Sequence, residues 1–410
     1  MRIALLSASY APELTGIGPY SAELAQALTR RGHEVRVIAS FPFYPEWAAR
    51  IPPRTFLYRH DTDGALPMTR CRAYVPRKPT PLLRLLHELS WVAVAGPAVV
   101  SQLRWAQVWI VVSPPFGSAL LGACVARFCR RAVHLHVQDL VPDVALESGQ
   151  LRSRLFVRVA TVVARWVYQS FQSASVLSES MARGLRRYSG AKGPHVVVTP
   201  NWVRRTDPSS GSLPLALRGR PYAVYAGSSG RKQDLGLLVK AAELLATRKG
   251  PVIAVLGDGP GHEAIRAGGR HIVSLGLVDD TTYAAVVGSA LAGIVTLAPG
   301  VSDSVVPSKL AGYLGSGRPV IVAAGPSSEA VRVVKEAGCG FVVHPGAPDL
   351  LAEMLCRLAA DKGEREALGA RGHAYAAAHW DKERVVDLLE QTLCELTTLY
   401  ATSVEQSPPV

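Results

Sequence analysis

Short β-branched apolar runs alternate with longer amphipathic stretches along most of the chain, and this alternation constrains the fold more than any other feature. Ile3–Ala8, Glu34–Ser40, Val108–Val112, Ala132–Val137, Ala174–Leu177 and His195–Thr199 form a first series. Most of these runs are apolar throughout, so they suit strands covered on both faces, as in a parallel sheet between helix layers. The intervening segments carry helical periodicity. In Gly18–Arg31, for instance, Tyr20, Leu24, Ala27 and Leu28 share one face and Gly32 marks the stop. A second series follows at Tyr222–Ala226, Val252–Leu256, Ile272–Leu275, Ala292–Leu297, Val320–Ala323 and Phe341–Val343. Between the two lies Arg204–Arg220, rich in Ser, Pro, Gly and charge, which predicts a linker. The expectation is an α/β chain of two doubly wound domains, 1–205 and 206–380. Pro348–Ala401 is helical, and its last part, within 381–410, stands beyond the second domain.

The first half has less regular parts. Residues 41–81 are rich in aromatics and prolines, and Phe41–Trp47 (FPFYPEW) either walls a pocket or covers the core. Leu82–Leu103 reads as an apolar helix broken near Gly96-Pro97, and fits a membrane interface and a buried position equally. Leu151–Gln172 separates an apolar face from Arg154, Arg158 and Arg165, giving either a basic membrane-facing surface or a solvated one. The longest uninterrupted apolar run, Trp91–Val100, is too short to span a bilayer. The N-terminal strand lacks a typical cleavage site and is expected to be that of the mature protein.

Charge is unevenly placed. Residues 1–205 hold 26 Lys and Arg against 11 Asp and Glu, whereas 206–410 hold 19 against 21. A basic first half implies an anionic partner. With no nucleic-acid motif or aromatic–basic interleaving, an anionic membrane surface or a phosphate-bearing lipid fits better than nucleic acid. Six cysteines without C-x-x-C spacing point to free thiols in a reducing cytoplasm, not to disulfides or a metal site.

In open parallel sheets ligands bind at the carboxyl ends of strands. Three such stretches of the second half suit a diphosphate. Tyr225–Gln233 (YAGSSGRKQ) brings Gly227, Arg231 and Lys232, and Leu256–Gly261 (LGDGPG) brings further glycines. Val301–Ala324 reads as a polar loop, a short helix carrying Lys309, a Gly turn and a buried strand. Its helix N-terminus presents free N–H groups and a positive dipole end to an anion. In the first half, Pro12–Gly18 (PELTGIG) places two glycines at a strand-to-helix turn. None of these loops carries a full G-x-G-x-x-G or G-x-x-x-x-G-K-[ST], which argues against dehydrogenase and P-loop chemistry.

These segments, with HVQDLVPD and VVTPNWV, resemble family 4 retaining glycosyltransferases of the two-domain GT-B fold, within it the colanic-acid and O-antigen fucosyl- and fucosaminyl-transferases. The resemblance covers nearly the whole chain. It implies two Rossmann-like domains with a cleft between them and a C-terminal helix crossing back to the first. It further implies a nucleotide diphosphate sugar as donor substrate, no metal and no other cofactor. The acceptor would be a polyprenyl-diphosphate-linked glycan at the cytoplasmic face of the plasma membrane, to which the protein would be peripheral. The donor sugar would be a deoxyhexose or an N-acetylated amino sugar.

By position, Gly16, Ile17 and Gly18 would approach the donor from the first domain, and Arg231 and Lys232 would neutralise the diphosphate. Gly227 would line the same site. Val305, Val306 and Ser308 would give N–H groups to phosphate, with Lys309, and backbone near Leu277 and Val278 would meet the base. Asp139 would accept a hydrogen bond or proton from the acceptor hydroxyl. The family's E-x7-E glutamates fall on Ser304 and Gly312, so both are absent; Asp303 stands beside the first position. The rival expectations are a sugar-nucleotide 2-epimerase on the same fold, and a non-catalytic module that binds sugar nucleotide or membrane.

Overall fold

The structure, a computed structural model, describes residues 1–13, 16–44, 46–52, 54–141, 154–204, 211–227, 233–259, 261–266, 269–298 and 308–405. The chain divides into two compact units, Met1–Thr199 with Glu383–Val410, and Pro200–Lys382.

The first unit is built on an eight-stranded sheet. Its strands are β1 (Arg2–Leu6), β2 (Glu34–Ser40), β3 (Tyr58–Asp63), β4 (Leu66–Cys71), β5 (Val108–Ser113), β6 (Ala132–Val137), β7 (Ser173–Val176) and β8 (His195–Val198). They lie in the order β3-β4-β2-β1-β5-β6-β7-β8. Every described pairing is parallel except β3 with β4. Helices α1 (Gly18–Arg30), α2 (Pro81–Gln102), α3 (Phe116–Phe128), α4 (Arg154–Ser170) and α5 (Glu179–Ser189) connect the strands. Strands β5 and β6 are buried along their whole length; β5 reads as an almost continuous apolar run, whereas β6 buries His134 and His136 among its apolar residues.

One expectation is corrected in this unit, the break of the apolar helix near Gly96-Pro97. The segment 41–81 holds the β3–β4 hairpin; β3, YRHDTD, is mostly exposed and polar, so it carries no apolar signal. Helix α2 continues through Gly96-Pro97. Pro97 removes one i→i−4 hydrogen bond, but it lies on the exposed side while Ala95, Ala98 and Val99 are anchored in the core. At 22 residues, α2 is also long and apolar enough to cross a membrane by length and composition. One face of it is nonetheless committed: Trp91 is buried and donates its indole N–H to Ser118 Oγ at 3.2 Å.

The second unit holds a parallel six-stranded sheet, order β11-β10-β9-β12-β13-β14. Its strands are β9 (Tyr222–Ala226), β10 (Val252–Leu256), β11 (Ile272–Gly276), β12 (Gly293–Thr296), β13 (Val320–Ala323) and β14 (Gly340–Val343). Helices α6 (Leu235–Thr247), α7 (His262–Arg266), α8 (Asp280–Ser289), α9 (Ser308–Gly315), α10 (Glu329–Ala337), α11 (Pro348–Ala360) and α12 (Lys362–His379) cover it. Strand periodicity splits the core. Tyr222, Val224 and Ala226 join Leu310, Tyr313 and Leu314 on one side. Ala223 and Tyr225 join Leu238, Ala241 and Leu355 on the other.

The stretch expected to be a linker is packed where it is described. Leu217 is fully buried in that core, Leu213 packs beside it, and Arg204 reaches Asp280 at 3.1 Å. Two apolar anchors outweigh its linker-like composition. The last helix, α13 (Lys382–Glu405), belongs to the first unit from Glu383 onward. There Arg31 meets Glu383 and Glu390, each at 2.7 Å, and Asp387 at 2.5 Å. His33 adds a 2.7 Å contact to Glu390.

Candidate active site

In the second unit, glycines let neighbouring turns touch at the carboxyl edge of the sheet. Gly227 follows β9 with φ +148°, and its N–H donates to Leu256 O at 2.9 Å. Gly257 follows β10 with φ +120°, and its N–H donates to Gly276 O at 2.7 Å. A Cβ at Gly257 would fall 2.1 Å from Gly227 O, so only glycine permits this contact. The edge therefore runs as bare backbone from Gly227 through Gly257 to Gly276. Beyond it Leu277 is exposed and Val278 packs on the core. Asp279 then caps α8 by accepting from Thr282 N–H at 2.7 Å. The hydrogen bond from Thr281, with those from Thr282, holds the Asp279 carboxyl down to about 2.

Helix α9 delivers a cation to this edge. Leu310, Ala311, Tyr313 and Leu314 are buried, and the Tyr313 hydroxyl accepts from Ala226 N–H at 2.7 Å, one residue before Gly227. That bond fixes α9 against the end of β9. Lys309, in its first turn, places Nζ 3.8 Å from the centroid of the Tyr225 ring. A Cβ at Gly227 would come within 3.0 Å of both Lys309 Cε and Nζ. The ammonium thus lies directly on the Gly227 turn. Lys309 is half-buried, and desolvation lowers its pKa to about 7. A half-buried ammonium beside bare backbone, with no carboxylate paired to it among the described residues, is suited to receive an anion.

Of the residues expected to bind a donor, Gly227 and Lys309 are brought together; Leu277 and Val278 lie along the same edge, and Ser308 begins α9. Arg231, Lys232, Asp303, Ser304, Val305 and Val306 lie outside the described residues. Tyr283, which composition and spacing did not single out, stands against α9: a Cβ at Gly312 would fall 2.4 Å from its hydroxyl.

In the first unit, the turn after β1 gathers the expected glycines. Gly16 has φ +71° and faces the Tyr44 ring, Ile17 is the N-cap of α1, and Gly18 opens the helix. Sequence reasoning missed Glu13, a carboxylate inside that turn. It is 5% exposed, and its Oε1 accepts from Phe43 and Tyr44 N–H, each at 3.2 Å. Burial pushes its pKa up. Glu13 therefore ties the glycine turn to the aromatic segment after β2. There Phe43 and His87 rings lie 4.6 Å apart, Trp47 packs on both, and the Arg84 guanidinium sits 5.3 Å from the Trp47 ring. This segment makes an aromatic wall with one cation. Asp139 stands half-buried just past β6, two strands from β1 on the same carboxyl edge. Asp143 and Glu147, which follow it, lie outside the described residues.

The two Rossmann-like units, each with a glycine-opened carboxyl edge, have the architecture of the GT-B glycosyltransferases. Residues 15–202 match the glycosyl transferase 4-like domain. The chain is 28% identical, over 94% of its length and 98% of the other, to a protein of Escherichia coli K12 provisionally named the colanic acid biosynthesis glycosyl transferase WcaI. Among solved structures it is similar to the sucrose-phosphate synthase of Thermosynechococcus elongatus, with TM-score 0.69, 16% identity and coverage of 97% and 99% of the two chains. It is likewise similar to Anabaena HepE in complex with UDP-glucose, with TM-score 0.64, 15% identity and coverage of 96% and 100%.

Proposed function

We propose that this glycosyltransferase moves a sugar, with retention at the anomeric carbon, from a nucleotide diphosphate donor to a polyprenyl-diphosphate-linked glycan in cell-surface polysaccharide synthesis. The observation that carries this is the Lys309 ammonium lying on the Gly227 turn at the edge of the second sheet. The complex of HepE with UDP-glucose and the polysaccharide role named for the WcaI relative support donor and pathway class. A deoxyhexose or N-acetylated amino sugar is the favoured donor sugar.

In the proposed reaction the bond from C1 to the β-phosphate oxygen breaks while the acceptor oxygen attacks C1 from the same face. The acceptor proton passes to the departing phosphate. Catalysis is then chiefly stabilisation of the charge that develops on the diphosphate, by Lys309, the α9 N-terminus, Arg231 and Lys232, with no metal. Asp139 orients the acceptor hydroxyl.

The proposal includes peripheral attachment to the cytoplasmic face of the plasma membrane. Leu82, Leu85, Leu86 and Leu89 form one exposed stripe on α2, and Val159 and Val162 are exposed on α4 beside Arg158 and Arg165. An apolar stripe within a strongly basic unit suits an anionic bilayer.

The test is turnover: nucleotide diphosphate sugars incubated with polyprenyl-diphosphate-linked glycans, with release of nucleoside diphosphate followed and the new linkage assigned by NMR. An inverted linkage, or release that does not require the acceptor, contradicts the proposal.

A further inference from the structure

Residues 309 and 312 of α9 are three apart and so share one face of the helix. Lys309 projects from that face to the Gly227 turn. Gly312 projects nothing, and the space its side chain would take is filled from a neighbouring element: the Tyr283 hydroxyl lies 2.4 Å from where a Cβ would stand. Tyr283 comes from the start of α8, immediately after the Gly276–Asp279 turn that exposes Leu277. Its ring is half-buried against the core, beside Tyr313, while its hydroxyl makes no hydrogen bond among the described residues. Arg204 and Asp280 are the charged groups that act on it. The phenol, which burial shifts further up, is neutral at physiological pH as any tyrosine is, and can both donate and accept.

We propose that the Tyr283 hydroxyl is the group that hydrogen-bonds the ribose of the donor and sets the preference for a ribonucleotide. The inference rests on the donor site proposed above. A diphosphate held at Lys309 and a base lying along Leu277–Val278 fix the two ends of the nucleotide. The ribose is the covalent link between them. Among the described residues the Tyr283 hydroxyl is a polar group without a hydrogen bond, and it stands against Gly312, one helical turn along α9 from Lys309.

The experiment is calorimetric titration of the full chain with UDP, GDP, their 2′-deoxy and 3′-deoxy forms and the corresponding nucleotide diphosphate sugars, for wild type, Tyr283→Phe and Lys309→Ala. The wild type is expected to bind its preferred ribonucleotide about 3- to 10-fold tighter than one or both deoxy forms. Tyr283→Phe should lose that ratio by weakening only the ribonucleotide, with an unchanged melting temperature. Lys309→Ala should weaken ribo and deoxy forms alike and keep the ratio. A ratio unchanged in Tyr283→Phe overturns the inference while leaving the donor site intact. Weakening of a nucleotide diphosphate sugar but not of the free nucleotide would place the hydroxyl on the sugar and overturn the ribose assignment. Absence of nucleotide binding in the wild type would overturn the donor site, and this inference with it.

Discussion

The Lys309 ammonium stands 3.8 Å from the centre of the Tyr225 ring, the last aromatic of β9 before the Gly227 turn. A ring face is a weak counter-ion, offering about 0.5–2 kcal/mol against the desolvation of a half-buried ammonium. It holds the amine in place without neutralising it, which leaves the charge available to a ligand.

That arrangement predicts a pH-dependent donor affinity. With its pKa lowered to about 7, Lys309 is largely neutral above neutrality in the empty site. A bound diphosphate favours the charged form, so binding takes up a proton at pH above 7. Affinity should fall by up to about tenfold per pH unit above that point. Titrations in buffers of different ionisation enthalpy measure the uptake directly, and Lys309→Arg should flatten the profile.

A buried chain in the first unit predicts acid lability. His134 lies 3.0 Å from Ser173 Oγ and 2.8 Å from Ser175 Oγ, and Ser175 also meets His136 at 2.7 Å. Burial lowers the two imidazoles to about 3 and about 4. Depressed histidine pKa values mean that the unfolded chain binds protons the folded one refuses. Stability is thus full above pH 6.5 and falls as pH drops from 6.5 towards 4, by about 1.4 kcal/mol per pH unit per histidine at most. His134→Leu should make the melting temperature less steeply dependent on pH across that window.

Arg31 predicts how firmly α13 is attached. Its guanidinium serves Glu383, Asp387 and Glu390 from a position only one-fifth exposed. Arg31→Ala should destabilise the first unit by about 1–2 kcal/mol, more than an isolated surface pair would. Hydrogen exchange should rise along α13 and leave the second sheet unchanged.

The α2 stripe predicts how the protein reaches a membrane. Leu85→Glu with Leu89→Glu should cut co-sedimentation with phosphatidylglycerol vesicles several-fold at low salt, while the melting temperature stays within a degree or two. Both side chains are exposed, so the fold does not depend on them.

The parallel strands were legible because burial on both faces writes itself as an apolar run, as in VWIVVS of β5. Gly227 and Lys309 were legible because a glycine at a strand end and a cation in a first helical turn are local patterns. The polar edge strand β3 was not, since nothing in YRHDTD demands burial. The linker-like stretch misled because Leu213 and Leu217 find their partners only in the folded core. Glu13 and Tyr283 escaped for the same reason. Their roles are set by contacts with Phe43 and Tyr44, and with Gly312, across separate elements.

The central claim is that the second unit holds a nucleotide diphosphate sugar on Lys309. Thermal shift across a panel of such sugars, with wild type and Lys309→Ala side by side, tests it most directly. The account predicts that one nucleotide family raises the wild-type melting temperature by several degrees and that the rise disappears in Lys309→Ala. A rise that survives the substitution, or no rise with any donor, would contradict it.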